Sequence, residues 1–206
     1  MDSSKNLSIT GIILAAGSGV RLGGKVKALL KTGSKTFIER IILNFRKCKI
    51  KNIIVVLGYK AGEVKKILEK NGLAGKVIIL VNNRYESEQL TSLKIALKNV
   101  PLGCRGVMFI PVDHPLVKLT TYKKLLSAWK KDKDKICLPS YNYRKGHPAL
   151  FPKEIFEKIL TEKLSCGARD LIKKYPEKVK YVVVNDPGTV NDFDSKEDFQ
   201  KYGLKK

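Results

Sequence analysis

Short apolar runs alternate with stretches of helical periodicity along most of this chain, and that alternation restricts the fold more than any other property of the sequence. Residues 12–15, 52–57, 77–81, 107–110, 136–140 and 181–184 read as strands, with a shorter one at 149–151. Between them, 36–47 places Phe37, Ile38, Ile41, Ile42 and Phe45 at helical spacing, and 63–70 does the same with Val64, Ile67 and Leu68. Further helices are expected around Leu93, Ile95, Ala96 and Leu97, around Tyr122, Leu125, Leu126 and Trp129, and over 153–160 and 168–174. Asn71-Gly72 closes the second helix, and Ser195-Lys196-Glu197-Asp198 matches a capping box opening a last one. Residues 82–91 read as a polar loop and 141–148 as a turn-rich segment. Strands separated by helices pair through crossovers, so the expected fold is α/β, a mostly parallel sheet covered on both faces. In such sheets ligands bind outside the carboxyl ends of the strands. With 206 residues and neither repeat nor low-complexity linker, one domain over 1–206 is expected, residues 1–8 being a flexible tail.

The most informative strand end is the first. Ile12 to Ala15 runs into Ala16-Gly17-Ser18-Gly19, residues small enough for a ligand to approach the backbone, and Arg21, Lys25 and Lys27 follow. Main-chain N–H groups with cations just beyond suit anionic oxygens, which points to a nucleoside triphosphate. A dinucleotide turn would need an acid near the end of the second strand, where the chain has Leu57-Gly58-Tyr59-Lys60. The Walker pattern also fails, because Lys25 is followed by Val26. Asp113 stands between Pro111 and Pro115 just past the fourth strand, placed for a divalent ion such as Mg²⁺, although a helix N-cap is an equally good use for it. Asp192 and Asp194, at i and i+2, point the same way if their segment is extended, so either can join Asp113 on a metal.

Composition excludes more than it identifies. Lys+Arg number 41 against 19 Asp+Glu, a net charge of +22 that favours anionic partners, yet the cations are spread along the chain as on a solvated surface. A nucleic-acid-binding module would need clustered cations with stacking aromatics, and only Tyr141 and Tyr143 beside Arg144 and Lys145 fit that description; nucleic acid is not the expected partner. Cys48, Cys104, Cys137 and Cys166 lie 56, 33 and 29 residues apart, which suits neither a zinc site nor a disulfide scaffold and suggests buried, reduced thiols. No apolar run approaches a membrane span, and the polar MDSSKNLS start is unlike a signal peptide, so a cytoplasmic protein with no membrane partner is expected.

Taken together, these segments resemble a known family. LAAGSGVRLGGKVKALL is similar to the LAAGxSxRMGxxKxLL signature of nucleotidyltransferases of the molybdenum cofactor cytidylyltransferase type, the MobA-like NTP transferases. Val112-Asp113-His114-Pro115 resembles their DxP step, Arg144 to Phe151 their (R)GHPxLF segment, Gly167 to Leu171 their GARxLL stretch and Asp192 to Asp198 their DIDTPED ending. The resemblance spans residues 11–199. It implies a Rossmann-like three-layer nucleotidyltransferase fold, of the nucleotide-diphospho-sugar transferase type, that moves CMP from CTP to molybdopterin, a phosphorylated pterin, with Mg²⁺ (Mn²⁺ as substitute). Ala15, Ala16, Gly17, Ser18 and Gly19 would receive the nucleotide with Gly58; Arg21 and Lys27 would bind the triphosphate. Lys25 can replace Lys27, since one extra residue separates the motif's halves. Asp113 would hold the metal with Asp192 or Asp194, and Ser92 and His147 would face the acceptor. Ala16 leans towards CTP, as the guanylyl members have glycine there. A molybdoenzyme-maturation partner belongs to the same expectation. The chain departs from the family at Glu88-Gln89-Leu90-Thr91-Ser92-Leu93, where Gly-Met-Ser-Ser-Ser-Leu is usual, which opens the alternative of a sugar- or polyol-phosphate acceptor.

Overall fold

A computed structural model describes residues 8–85, 89–194 and 198, with the backbone but not the side chain of Arg21. The N-terminal tail and the capping box beginning at Ser195 lie outside the described residues. The chain runs β1 (Ile9–Ala15), β2 (Lys31–Thr32), β3 (Lys35–Thr36), α1 (Phe37–Lys47), β4 (Asn52–Leu57), α2 (Ala61–Lys70), β5 (Ile78–Val81), α3 (Gln89–Leu97), β6 (Gly106–Pro111), α4 (Leu119–Lys131), β7 (Ile136–Tyr141), β8 (Arg144–Lys145), β9 (Ala149–Pro152), α5 (Lys153–Thr161), α6 (Ala168–Lys174) and β10 (Val179–Val183).

One sheet follows the order β10-β7-β9-β6-β1-β4-β5, with β8 added to β7. β1 is parallel to β4 and to β6, pairing Ile13 with Val55 on one side and with Ile110 on the other. β9 is the reversed strand, antiparallel to β6 and β7. All seven residues of β1 are buried, because both faces of the sheet are covered. Ile9, Ile13 and Ala15 join the core built by α1, α2 and α4, which includes Phe45, Leu68 and Trp129. Ile12 and Leu14 face the other layer, built by α3, α5 and α6 with Leu97, Phe156 and Leu171. This is the mostly parallel α/β architecture expected from the alternation, and it is Rossmann-like, as the resemblance implied. The chain leaves β1 towards β4 and β5, then returns to place β6 on the opposite flank. The crevice such a reversal opens lies at the carboxyl ends of β1 and β6.

The first helix shows how local sequence fixes a boundary. Thr36 caps α1 in a capping box, its N–H donating to Glu39 Oε2 at 2.8 Å, and Glu39 also accepts from Asn71 Nδ2 at the end of α2 at 2.9 Å. That contact ties the two helices of one face together. Three details differ from the sequence reading. Residues 31–36 form a small β2–β3 hairpin, β8 orders part of the turn-rich segment, and α3 begins inside the polar stretch, at Gln89. All four cysteines are free, but they are not all buried: Cys104 and Cys137 are, whereas Cys48 is half-buried and Cys166 exposed, because the latter falls in a surface loop ahead of α6 rather than on a core-facing position.

Candidate functional site

The glycine loop is shaped by two close approaches. Gly19 adopts φ +61°, and a Cβ there would lie 2.1 Å from the carbonyl oxygen of Lys25, so no side chain fits. Its own carbonyl accepts from the N–H of Leu22 at 2.8 Å and of Gly24 at 3.1 Å, closing the loop on itself. On the far side the loop is fastened to the end of β4, where the N–H of Tyr59 donates to Ala16 O at 3.1 Å. Gly58 permits this: a Cβ there would stand 2.6 Å from Ala16 O and 2.4 Å from Tyr85 Cβ. The result is a cavity of about 350 Å³ at the ends of β1 and β6, lined by Ala15 to Val20 together with Lys27, Tyr85, Ser92, Asp113 and Asp194.

Asp113 reaches this cavity because β6 is continued past its end by a bond from Val112 N–H to Leu14 O at 3.0 Å. It caps no helix, since α4 starts at Leu119 with Lys118 as its N-cap. Instead its Oδ2 accepts from Lys27 Nζ at 3.3 Å, and the same ammonium donates to Asp194 Oδ1. Burial works against the charge on Lys27, but Asp113 and Asp194 outweigh it and raise its pKa, so the ammonium is held firmly charged. The two acids come from distant segments, joined by a bond from Phe193 N–H to Asp113 O at 3.0 Å. The fully buried Phe193 ring packs on Phe37 with centroids 5.2 Å apart and anchors that junction in the core.

These residues fit a hard divalent cation. Two carboxylates share one ammonium, and the other oxygen of Asp113, Oδ1, is buried without a hydrogen-bond partner. Among the described residues no group of three or more His, Cys, Asp or Glu is arranged to cage a metal. An ion such as Mg²⁺, which takes one or two carboxylates and completes its shell with water and phosphate oxygens, suits that donor set.

The other residues singled out in the sequence distribute as follows. Lys25 is exposed and lies outside the cavity lining, whereas Lys27 points in. Gly58 shapes the loop from behind, and the Arg21 side chain is not among those described. Ser92 is buried in the loop cavity, where it receives Asn82 Nδ2 at 3.0 Å. Asp192 and His147 line a neighbouring cavity of about 890 Å³, which shares Leu14 and Gln89 with the first. The His147 ring is buried against His114, centroids 4.9 Å apart, and its Nδ1 has no hydrogen-bond partner. Burial, reinforced by His114 and Arg169, pushes its pKa down to about 3, so the imidazole is neutral. Gln89, from the stretch that departs from the family pattern, and Lys173, which no sequence motif marked, also line this second cavity.

Known proteins are similar to this chain to different extents. The family model of the MobA-like NTP transferase domain matches residues 11–179. Bifunctional protein GlmU from Staphylococcus haemolyticus is 28% identical over 119 residues, 56% of this chain and 24% of that protein, so the chain spans about a quarter of that relative's length. Nicotine blue oxidoreductase from Paenarthrobacter nicotinovorans is 26% identical over 204 residues, 95% of this chain and 96% of that protein. In fold, the chain is similar to the crystal structure of Rv0371c from Mycobacterium tuberculosis H37Rv, with TM-score 0.79 at 22% identity over 95% of this chain and 97% of that one. The manganese complex of the same protein gives TM-score 0.75 at 22% identity, covering 94% and 97%.

Proposed function

This chain belongs to the MobA-like NTP transferase family and with it to the nucleotidyltransferase enzymes, and from that premise we propose that it transfers CMP from CTP to a phosphorylated pterin of the molybdopterin type, releasing pyrophosphate. The observation that carries the reading is the Lys27 ammonium shared by Asp113 and Asp194 beside a glycine loop. In the proposed reaction an acceptor phosphate oxygen forms a bond to the α-phosphorus as the bond to pyrophosphate breaks. The acceptor phosphate is already ionised near neutral pH, so no general base is required. The neutral His147 serves as a hydrogen-bonding wall for the acceptor, not as a proton shuttle.

Main-chain groups of Ala15 to Gly19 seat the nucleotide, and Lys27, with Arg21, stabilises charge building on the phosphate oxygens in the transition state. Ser92 rests against the same cavity and fixes its wall through Asn82. Asp113 with Asp194 would hold Mg²⁺, with Mn²⁺ as substitute, whose charge when bound offsets that of the reacting phosphates. Manganese in the complex of the structurally similar Rv0371c supports a divalent ion here. Asp192, facing the second cavity, takes the lesser part in this assignment. No helix among the described residues is long and apolar enough to cross a membrane, and the proposal places both cavities in one cytoplasmic domain.

A sugar- or polyol-phosphate acceptor is the second reading, favoured by Leu90 lining the second cavity where the resembled family carries a serine. Thermal shift with CTP, GTP and ATP, with and without Mg²⁺, tests the donor: CTP should stabilise most, and only fully with the ion. No shift with any nucleotide overturns the reading. Pyrophosphate release across a panel of phosphorylated acceptors then separates the pterin from the sugar and polyol phosphates.

A further inference from the structure

The second cavity carries charge that transfer of a nucleotide to a single phosphate does not explain. Arg144 and Lys145 reach it from β8, and Arg169 and Lys173, at i and i+4 on one face of α6, reach it from the other side. Among the described residues none of these four forms an ion pair or side-chain hydrogen bond. Among the described residues, two nearby acids are engaged elsewhere: Glu162 holds Lys174 at 2.8 Å, and Asp170 accepts the N–H groups of Ser165 and Cys166 at 2.7 and 2.8 Å. Among the described residues, only Asp192 contributes a carboxylate to the lining. Like charges gathered from two separate elements onto one concave surface repel unless something anionic sits among them.

An independent observation points the same way. His147 Nδ1 is buried, belongs to a residue of this lining and has no protein partner. A polar atom left so is costly unless a ligand supplies the missing bond. Leu90, Leu93, Phe109 and Leu138 give the cavity an apolar floor, so the occupant has a body to bury as well as charge.

We infer that this cavity takes an acceptor with a second anionic group, remote from the phosphate that reacts, gripped between α6 and the β7–β8 hairpin. The inference rests on the proposed transferase reading for its reacting end, which lies where Leu14 and Gln89 border both cavities. The four cations line only the second cavity and so address the other end of the molecule.

Isothermal titration of the full chain with fructose 6-phosphate and fructose 1,6-bisphosphate tests this, the two probes differing by one remote phosphate. The bisphosphate should bind about tenfold tighter or better. The double variant Arg169→Gln/Lys173→Gln should bring the two probes within about twofold, while its ligand-free melting temperature equals or exceeds that of the wild type because repulsion is relieved. Equal affinity of the wild type for both probes, including no measurable binding of either, overturns the inference. So does a lowered melting temperature in the variant, which would mark the cations as structural. If CTP causes no thermal shift yet the bisphosphate preference stands, the anion site is supported and the nucleotide reading alone fails. A normal CTP shift without that preference overturns the anion site and leaves the nucleotide reading intact.

Discussion

Asp113 and His147 stand near one crevice in contrasting surroundings, the first beside the Lys27 ammonium and the second against the His114 ring. Asp113 accepts from the Lys27 ammonium at 3.3 Å, and Asp113→Asn is expected to lower pyrophosphate release by about a hundredfold or more. Its unfolding free energy from urea titration should change by less than about 1 kcal/mol, since Lys27 retains Asp194. Near-normal turnover in a folded variant would remove Asp113 from the site. His147 is held neutral, its pKa in the fold, about 3, lying below the ordinary value of about 6.5 in an unfolded chain. Between those values the unfolded chain binds the extra proton, so stability is full above about pH 6.5 and declines as pH falls, by at most about 1.4 kcal/mol per unit from this residue. Denaturation from pH 7.5 to 5 should show that decline, and His147→Gln should flatten it. Much of the placement of these residues was legible beforehand. Small residues at a strand end and a carboxylate after an apolar run are visible in one dimension. The pair Asp192 and Asp194 was not resolvable in that way. Period-two spacing suggests one shared direction, but Asp194 lines the loop cavity and Asp192 its neighbour.

At the scale of elements, strands and helices were readable because each carries its own periodicity. The 52–57 strand and the 168–174 helix fall on the expected residues, whereas β8 escaped because two residues flanked by Asn142 and Tyr143, both at positive φ, hold no pattern of their own. Convergence of β8 with α6 is likewise absent from the linear order, since more than 20 residues separate them and only the reversed strand β9 folds the hairpin back. The loop between β1 and α1 depends on an element it does not belong to, the end of β4. Gly58→Ala is therefore expected to push the loop off Ala16 O, destabilising the protein by about 1–3 kcal/mol and abolishing the thermal shift with CTP. Gly62→Ala, where an added Cβ meets nothing, is the matched control and should leave the shift intact.

For the whole molecule, the net charge of +22 acts at a distance on any triphosphate approaching the crevice. Raising ionic strength from about 20 to 200 mM should reduce the association rate of CTP several-fold and change dissociation much less, as stopped-flow fluorescence would read. Equal loss in both rates would mean that the charge acts only through direct contacts. The two layers on either side of the sheet are not equally connected to the site. Phe37, on the first helix, lines neither of the two cavities, yet it supports the ring of Phe193, and Phe193 in turn supports the main chain of Asp113. Drift at that aromatic pair, harmless by every measure of hydrophobic content, would surface as misplaced acids in a protein that still looks well folded. When inactive but soluble natural variants turn up, the place to look first is this quiet contact deep under the first helix.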